Sequence, residues 1–236
     1  MPSRQTAFQF RTWGGARSGA GRRPKGNVAG VSHLRRPTLA RVHPVHVTLR
    51  VRRGLSSLRE HRTFIGVREA LARARERFGF RLIHFSVQRD HLHLIGEASD
   101  RRALARGVQG LSIRVARAVN RQLARKGRVF ADRYHARALK TPRAVRMAVR
   151  YVLLNARKHS RSRSALPNGF VDSRSSAPWF AGFSRPAELA FGSRSARLGF
   201  RAASRTEAPV VAARTWLLRV GLRRAGPFDI DEVPGS

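Results

Sequence analysis

The stretch that decides the fold runs from Arg81 to Ile95 and reads RLIHFSVQRDHLHLI. Polar and apolar side chains alternate on both sides of Arg89-Asp90, which is the pattern of two half-buried strands. The two residues between the strands have the length of a tight hairpin turn, and this predicts that Ser86 lies opposite His93. Because side chains alternate across a strand, His91 and His93 then point to the same face, away from the apolar core.

Periodicity outside this hairpin predicts the remaining elements of the domain. Their order is strand, helix, hairpin, helix, strand, helix, at about 46–51, 64–78, 81–95, 101–125 and 132–139, with a last helix announced by Thr141-Pro142. This is the order of a ferredoxin-like α+β sandwich, an antiparallel sheet with helices on one face, here with an additional C-terminal helix. We expect helices to cover one face of the sheet and to leave the other face uncovered.

Composition divides the chain into three parts. Residues 1–44 are rich in Gly, Arg, Pro and Ser and indicate a flexible basic arm. Residues 45–160 carry the periodic elements and form the predicted catalytic domain. Residues 161–236 begin with a polar linker and continue as a partly ordered extension, in which two apolar islands, at 178–180 and 216–220, are expected to pack back onto the domain.

The charge of the chain points to a polyanionic partner. Lys and Arg number 49 against 13 Asp and Glu, a net charge of +36. Such an excess repels itself in the compact state unless a polyanion neutralises it, and nucleic acid is the commonest such partner. The acids are also unevenly placed, because residues 1–59 contain none.

Other classes of protein fit the composition poorly. The sequence has no apolar run long enough to span a bilayer and no apolar signal-peptide core near Met1. It has no cysteine, which excludes disulfides, zinc–cysteine sites and thiol catalysis. We therefore expect a cytoplasmic, nucleoid-associated protein, bacterial in origin, with no membrane partner, and the sequence leaves both a monomer and a homodimer open.

Two histidines and a tyrosine–asparagine pair are the candidate chemical groups. Two imidazoles at His91 and His93, with Cβ atoms about 6.5–7 Å apart on one strand, can converge on one metal ion. A His-x-His pair alone is more often a pair of exposed or hydrogen-bonded imidazoles than a metal site. Tyr151 and Asn155 lie one turn apart on the last helix, and Asn155 is a polar amide within an apolar run, which is costly to bury without a partner. The combination predicts a metal site of His91, His93 and Asn155, with Tyr151 as the attacking nucleophile.

These residues resemble a known family. The motif HLH at 91–93 is similar to the His-hydrophobic-His motif of the HUH endonucleases, and Tyr151 with Asn155 resembles the helix of the single-tyrosine transposases, particularly the REP-associated tyrosine transposases. The segment 130–135 looks like the aromatic-rich segment before the family's fourth strand. Ala156 stands where these transposases often have proline.

The resemblance implies an activity and its partners. It implies that His91, His93 and Asn155 bind Mg²⁺ or Mn²⁺, and that Tyr151 forms a 5′-phosphotyrosine link to single-stranded or hairpin DNA. Five polar or basic residues are predicted to contact the DNA: Arg50, Gln88, Arg133, His135 and Lys158. Two alternatives remain at this point, a transposase-derived nucleic-acid-binding protein without catalysis and a relaxase of the same superfamily.

Overall fold

The computed structural model describes residues 38–159, 166, 168–184 and 207–232. Its elements are β1 (Val45–Arg50), α1 (His61–Ala74), β2 (Glu76–Arg77), β3 (Phe80–Val87), β4 (His91–Ala98), α2 (Arg101–Gln122), β5 (His135–Ala138), α3 (Pro142–Leu153) and α4 (Asn155–His159). A 3₁₀ turn at Ala177–Trp179, a π-helical turn at Leu217–Gly221 and a short α5 at Leu222–Arg224 follow. Most of the predicted N-terminal arm lies outside the described residues.

The five strands form one antiparallel sheet in the order β2-β3-β4-β1-β5. The first and third long strands, β1 and β4, are neighbours at its centre, and α1 and α2 make the two crossovers. This arrangement is the ferredoxin-like sandwich, so the predicted fold class is confirmed.

The decisive hairpin has the predicted register. Ser86 lies opposite His93, and the backbone N–H of Gln88 donates to the carbonyl of His91 over 2.8 Å. One irregularity was not predicted, a register shift between Leu82 and His84. A bulge of this kind reverses the alternation of the strand, so that Leu82 and Phe85 both reach the same apolar core although they are three residues apart.

The first helix ends earlier than periodicity predicts, at Ala74 rather than at Phe78. Glu76 and Arg77 instead turn back as β2 and pair with the start of β3. The turn between these strands consists of Phe78 and Gly79, both with positive φ, 55° and 77°. Strand pairing has here overridden a helical pattern in the sequence.

The face of the sheet under α1 and α2 is a continuous apolar layer, which we call the helix-side core. It receives the inward side chains of all the long strands, among them Val47, Leu92 and Leu94, each fully buried. The helix α2 starts at an N-cap, where the carboxylate of Asp100 accepts from the backbone N–H of Ala103 over 2.8 Å.

The opposite face is not uncovered, and this expectation was wrong. The helix α3 crosses it and packs on the half that contains Ile83 and Ile95, together with segments from the end of the chain. This second cluster, the C-terminal core, includes Leu139, Val145, Val149, Val152, Leu153, Leu217, Leu218, Leu222, Phe228 and Ile230. The physical reason is visible in β4, where Ile95 follows His93 on the same face and needs an apolar cover.

The C-terminal segments also protect the edge of the sheet. The carbonyl of Arg174 accepts from the N–H of Val87 and the N–H of Ser176 donates to the carbonyl of Phe85, both over 2.9 Å. Beside them Arg59 donates two hydrogen bonds, of 2.8 and 2.9 Å, to the buried carboxylate of Asp172. Both apolar islands of the extension pack into or against the C-terminal core, as the sequence suggested. An exposed strand edge is a template for unwanted pairing, and this segment covers it.

Candidate active site

The strand β4 brings the two predicted metal ligands together. The ring centroids of His91 and His93 are 4.6 Å apart, with planes inclined at 84°. In the register of the sheet His91 lies beside Arg50, and His93 beside Thr48 on one side and Ser86 on the other. The pair therefore sits at the start of β4, on the half of the face that the C-terminal core does not fill.

Side chains of β1 hold the ring of His93. Its Nδ1 is 3.2 Å from Nε2 of His46 and 3.3 Å from the hydroxyl of Thr48. Burial, together with the nearby His135 and Arg137, lowers the pKa of His46 to about 4. His46 is therefore a neutral imidazole near pH 7, which can fix the tautomer of His93 without adding charge to the site.

The second histidine has an acidic partner. Nδ1 of His91 is 2.7 Å from a carboxylate oxygen of Asp90, and this hydrogen bond holds the pKa of Asp90 below its usual range. A carboxylate behind an imidazole orients the ring and raises its basicity as a ligand. The hairpin pattern predicts Asp90 as a turn residue and indicates no other role for it. The signal for its second role was its position next to the His-x-His motif.

The ring of Tyr151, near the end of α3, lies against the rings of His93 and His46. Its ring centroid lies 5.0 Å from that of His93, at 81°, and 6.0 Å from that of His46. The ring also packs against the C-terminal core, so its position is set by the helix and its apolar neighbours. The sheet and α3 thus bring one phenol and two imidazoles into contact.

Asn155 differs from its predicted setting in one respect. The helix is interrupted at Leu154, with φ −104° and ψ 17°, so that Asn155 begins α4 and does not continue α3. Its side chain is fully buried, and within the described residues neither amide atom has a hydrogen-bond partner. A buried amide without a partner is costly, and a bound ion would remove that cost.

The predicted DNA contacts are not all on the surface. Arg50, Arg133 and His135 are exposed, and His135 lies beside Thr48 in the register of β1 and β5. Gln88 is only 5% exposed, and its amide donates to the hydroxyl of Ser86 over 2.6 Å, so its expected surface position was wrong. It does line a cavity of about 610 Å³ together with Arg50, His91 and Ala156.

Lys158, Arg137 and Tyr134 lie in three different settings. Lys158 lies in α4, with its side chain outside the described residues. Arg137 was missed in the sequence, although it alternates with His135; it is exposed and lies beside His46. Tyr134, the other tyrosine, packs against the helix-side core, on the face opposite the histidines.

The donor atoms of the site are compatible with a divalent metal ion. In the part of the chain that the structure describes, no three His, Cys, Asp or Glu side chains group to hold an ion. The candidate set is two imidazoles and one amide, all neutral donors. Such a set would leave the full charge of the ion to act on a phosphate. The amide oxygen, together with phosphate oxygens in the open positions, suits Mg²⁺ or Mn²⁺, whereas imidazole nitrogen is more usual for Zn²⁺ or Fe²⁺.

Part of the chain is similar to a known protein family. Residues 40–154 match the family described as "Transposase IS200 like". They form an IS200-like transposase domain. The matched residues begin before β1 and end at Leu154, so the transposase domain includes both histidines and Tyr151. The match supports a transposase function for this domain.

A solved structure, "Structure of the REP associates tyrosine transposase bound to a REP hairpin", is similar with a TM-score of 0.47 and 17% sequence identity, over 56% of this chain and 77% of that chain. Among curated proteins none matches the chain. Within the described residues of the transposase, no helix is long and apolar enough to cross a membrane.

Proposed function

We propose that this transposase cleaves and rejoins single-stranded DNA through a 5′-phosphotyrosine intermediate on Tyr151, with a divalent metal bound by His91, His93 and Asn155. The observation that carries the proposal is the contact of the Tyr151 ring with His93, which itself contacts His91, on one half of a sheet face. The transposase family of residues 40–154 supports the reaction class.

The residues of the chain divide the chemistry between them. The phenolic oxygen of Tyr151 attacks the phosphorus, the bond from phosphorus to the 3′ oxygen breaks, and that oxygen takes up a proton to become a 3′-hydroxyl. A 3′-hydroxyl that attacks the phosphotyrosine reverses the step and rejoins a strand. A metal bound here would act as a Lewis acid on the scissile phosphate.

The hydrogen bonds of the two histidines indicate which ring nitrogen of each would bind the metal. His46 and Thr48 occupy Nδ1 of His93, and Asp90 occupies Nδ1 of His91. Both rings would therefore bind through Nε2, with the second nitrogen held by the protein, as is usual for metal-binding histidines. Asn155 would contribute its amide oxygen, which satisfies its buried polar group.

Basic residues on the same face supply the DNA-binding surface. Arg50, Arg133, His135 and Arg137 lie beside the site on β1 and β5 or just before β5, and all are exposed. Because the chain carries a net charge of +36, most of its affinity should come from neutralised phosphates. We propose that the protein acts in the bacterial cytoplasm, in association with the nucleoid.

A covalent-adduct assay tests the proposal. The protein is incubated with a panel of single-stranded and hairpin oligonucleotides, with and without Mn²⁺, and separated on a denaturing gel. We expect a protein–DNA adduct that forms with Mn²⁺ and is lost with a chelator. If the protein binds the oligonucleotides but forms no adduct, it is a nucleic-acid-binding protein without catalysis. If the adduct also forms in the presence of the chelator, the proposed metal dependence is refuted.

A further inference from the structure

A second cavity lies at the far end of the sheet. It has a volume of about 550 Å³ and opens between the β2–β3 turn, the end of β4 and the C-terminal segment at 214–216. From His91 to Ala98 the strand β4 spans seven residue steps, or about 23 Å at 3.3 Å per residue. The cavity is therefore separate from the site of the two histidines.

Exposed apolar side chains are concentrated at this cavity. The large hydrophobic residues that the structure describes as exposed are five: Val42, Phe78, Ile113, Met147 and Trp216. Three of them line the cavity: Val42 is 63% exposed, Phe78 48% and Trp216 52%. Two aromatic rings at one opening are an unusual cost in contact with water, which a stacked ligand would remove.

The backbone holds Phe78 in this position at a cost. Its φ of 55° is in the left-handed region, where asparagine, aspartate or glycine is usual in a two-residue hairpin turn. Phenylalanine has no local hydrogen bond to offset that conformation. A turn position that geometry would give to asparagine thus carries an exposed ring.

The charge around the cavity is positive. The two carboxylates in its wall are already engaged, Glu76 by Arg81 at 3.0 Å and Arg214 at 3.3 Å, and Glu97 by Arg81 at 2.9 Å. Arg41 and Arg77 line the same opening and are exposed. Among the described residues no carboxylate forms an ion pair with either of these two arginines.

Further guanidinium groups flank the aromatic rings from outside. Arg77 and Arg106 lie 5.3 and 4.7 Å from the centre of the Phe78 ring, and Arg224 lies 5.8 Å from that of Trp216. Aromatic platforms bordered by arginine are the chemistry of single-strand binding, in which the rings stack on bases and the guanidinium groups hold phosphates.

We propose that this cavity binds unpaired bases of a DNA strand, stacked on Phe78 and Trp216, with the adjoining phosphates held by Arg41 and Arg77. The identity of the ligand as single-stranded DNA rests on the proposed function; the site itself does not use Tyr151. At the spacing of about 3.4 Å per stacked nucleotide, about seven nucleotides separate this site from the histidines. The cleft thus anchors the strand at a distance from the cleavage point.

Binding of a fluorescent oligodeoxythymidine of about 20 nucleotides to the full chain, without metal, tests the site. The main variant is Phe78→Asn, because asparagine suits the positive φ and removes only the ring. Trp216→Ala is the second variant, and Ile113→Ala is the matched control, an exposed apolar residue that does not line the cavity. We expect a loss of affinity of about 5- to 140-fold for each aromatic variant, no change for the control, and recovery with Phe78→Tyr and Trp216→Phe.

The outcomes separate this proposal from the proposed function. Affinity within twofold of wild type for both Phe78→Asn and Trp216→Ala would overturn the base-binding cleft, whether or not the wild-type protein forms its covalent adduct with Mn²⁺. Unchanged DNA affinity together with a change in oligomeric state would assign the cavity to protein contacts and would also overturn it. If the wild type binds but forms no adduct, the catalytic proposal fails and the affinity comparison still decides the cleft.

Discussion

The two faces of the sheet are built from the same strands and serve different ends. On the helix-side core, Leu92 and Leu94 are fully buried among aliphatic neighbours. On the other face of the same strand, His91 contacts His93 and His93 contacts Tyr151, while Ile95 enters the C-terminal core. One face is uniform and stabilises the fold; the other is divided, with apolar residues that position α3 next to polar residues that do chemistry.

Packing away from the two histidines sets the position of Tyr151. Tyr151 is placed by α3, and α3 is held against Ile83 and Ile95 by the end of the chain. Arg150 and Arg157, one on each side of the Tyr151–Asn155 pair, form ion pairs with Glu232 and Asp231. Changes on the two faces should therefore separate stability from catalysis.

The largest expected effect concerns the two tyrosines, which lie on opposite faces. Tyr151→Phe should lose the covalent DNA adduct completely, because it removes the attacking oxygen and leaves the ring in place. Tyr134→Phe, the matched control, should keep the adduct, because Tyr134 packs into the helix-side core. Mass spectrometry of the proteolysed adduct decides this, and a nucleotide on the peptide that carries Tyr134 would reverse the assignment of the faces.

The next effect concerns His93 and Leu94, which are neighbours in β4 and point to opposite faces of the sheet. His93→Ala, or His91→Ala, should reduce cleavage by at least about 10³-fold, the several kcal/mol that a Lewis acid supplies in the transition state, with DNA affinity nearly unchanged. Adduct yield and anisotropy with the same oligonucleotide measure the two quantities. Full cleavage by the double alanine variant in Mg²⁺ would contradict the metal assignment.

Leu94→Ala should show the reverse behaviour. Deletion of a fully buried leucine side chain from the helix-side core should lower the free energy of unfolding by about 2–5 kcal/mol. The protein that remains folded should cleave normally. Urea denaturation measures the stability, and a loss of cleavage in fully folded Leu94→Ala protein would show that the two faces are not independent.

A buried histidine should make the stability depend on pH. Burial lowers the pKa of His84 from 6.5 to about 4, so the folded protein holds this imidazole neutral while the unfolded chain protonates it below pH 6.5. The stability is present above pH 6.5 and is lost as the pH falls to about 4, by up to about 3 kcal/mol. We expect His84→Gln to reduce the slope of the unfolding free energy between pH 7 and 4, while His46, whose pKa is also lowered to about 4, keeps part of it. A curve parallel to that of the wild type would refute the role of His84.

The smallest effect should come from the unpartnered amide. Asn155→Leu replaces a buried polar group by an apolar one of similar size, and should raise the stability of the metal-free protein by about 1–3 kcal/mol. Adduct formation should fall in the same variant. Thermal denaturation with a chelator tests the first statement, and a strongly destabilised variant would show that the amide has a partner in the fold.

Much of this architecture could be predicted from local pattern. The alternation in Arg81–Ile95 predicts the hairpin and its register, and the N-cap Thr141 marks the start of α3, where its hydroxyl accepts from the N–H of Ala144. Three features could not be predicted in this way: the bulge at Leu82–His84, the early end of α1 and the burial of Gln88. Each depends on pairing or packing with residues distant in the chain.

The identity of the chemical groups, and the face of the strand on which they lie, follow from the sequence alone. The period of two in β4 is a property of the local backbone, so it places His91 with His93 whatever surrounds them. The position of α3 over half of this face depends on tertiary packing. The same packing brings the ring centroid of Tyr151 to 5.0 Å from that of His93. That placement follows from apolar surface on Ile83, Ile95 and the chain end, which is non-directional and finds its partners only in three dimensions.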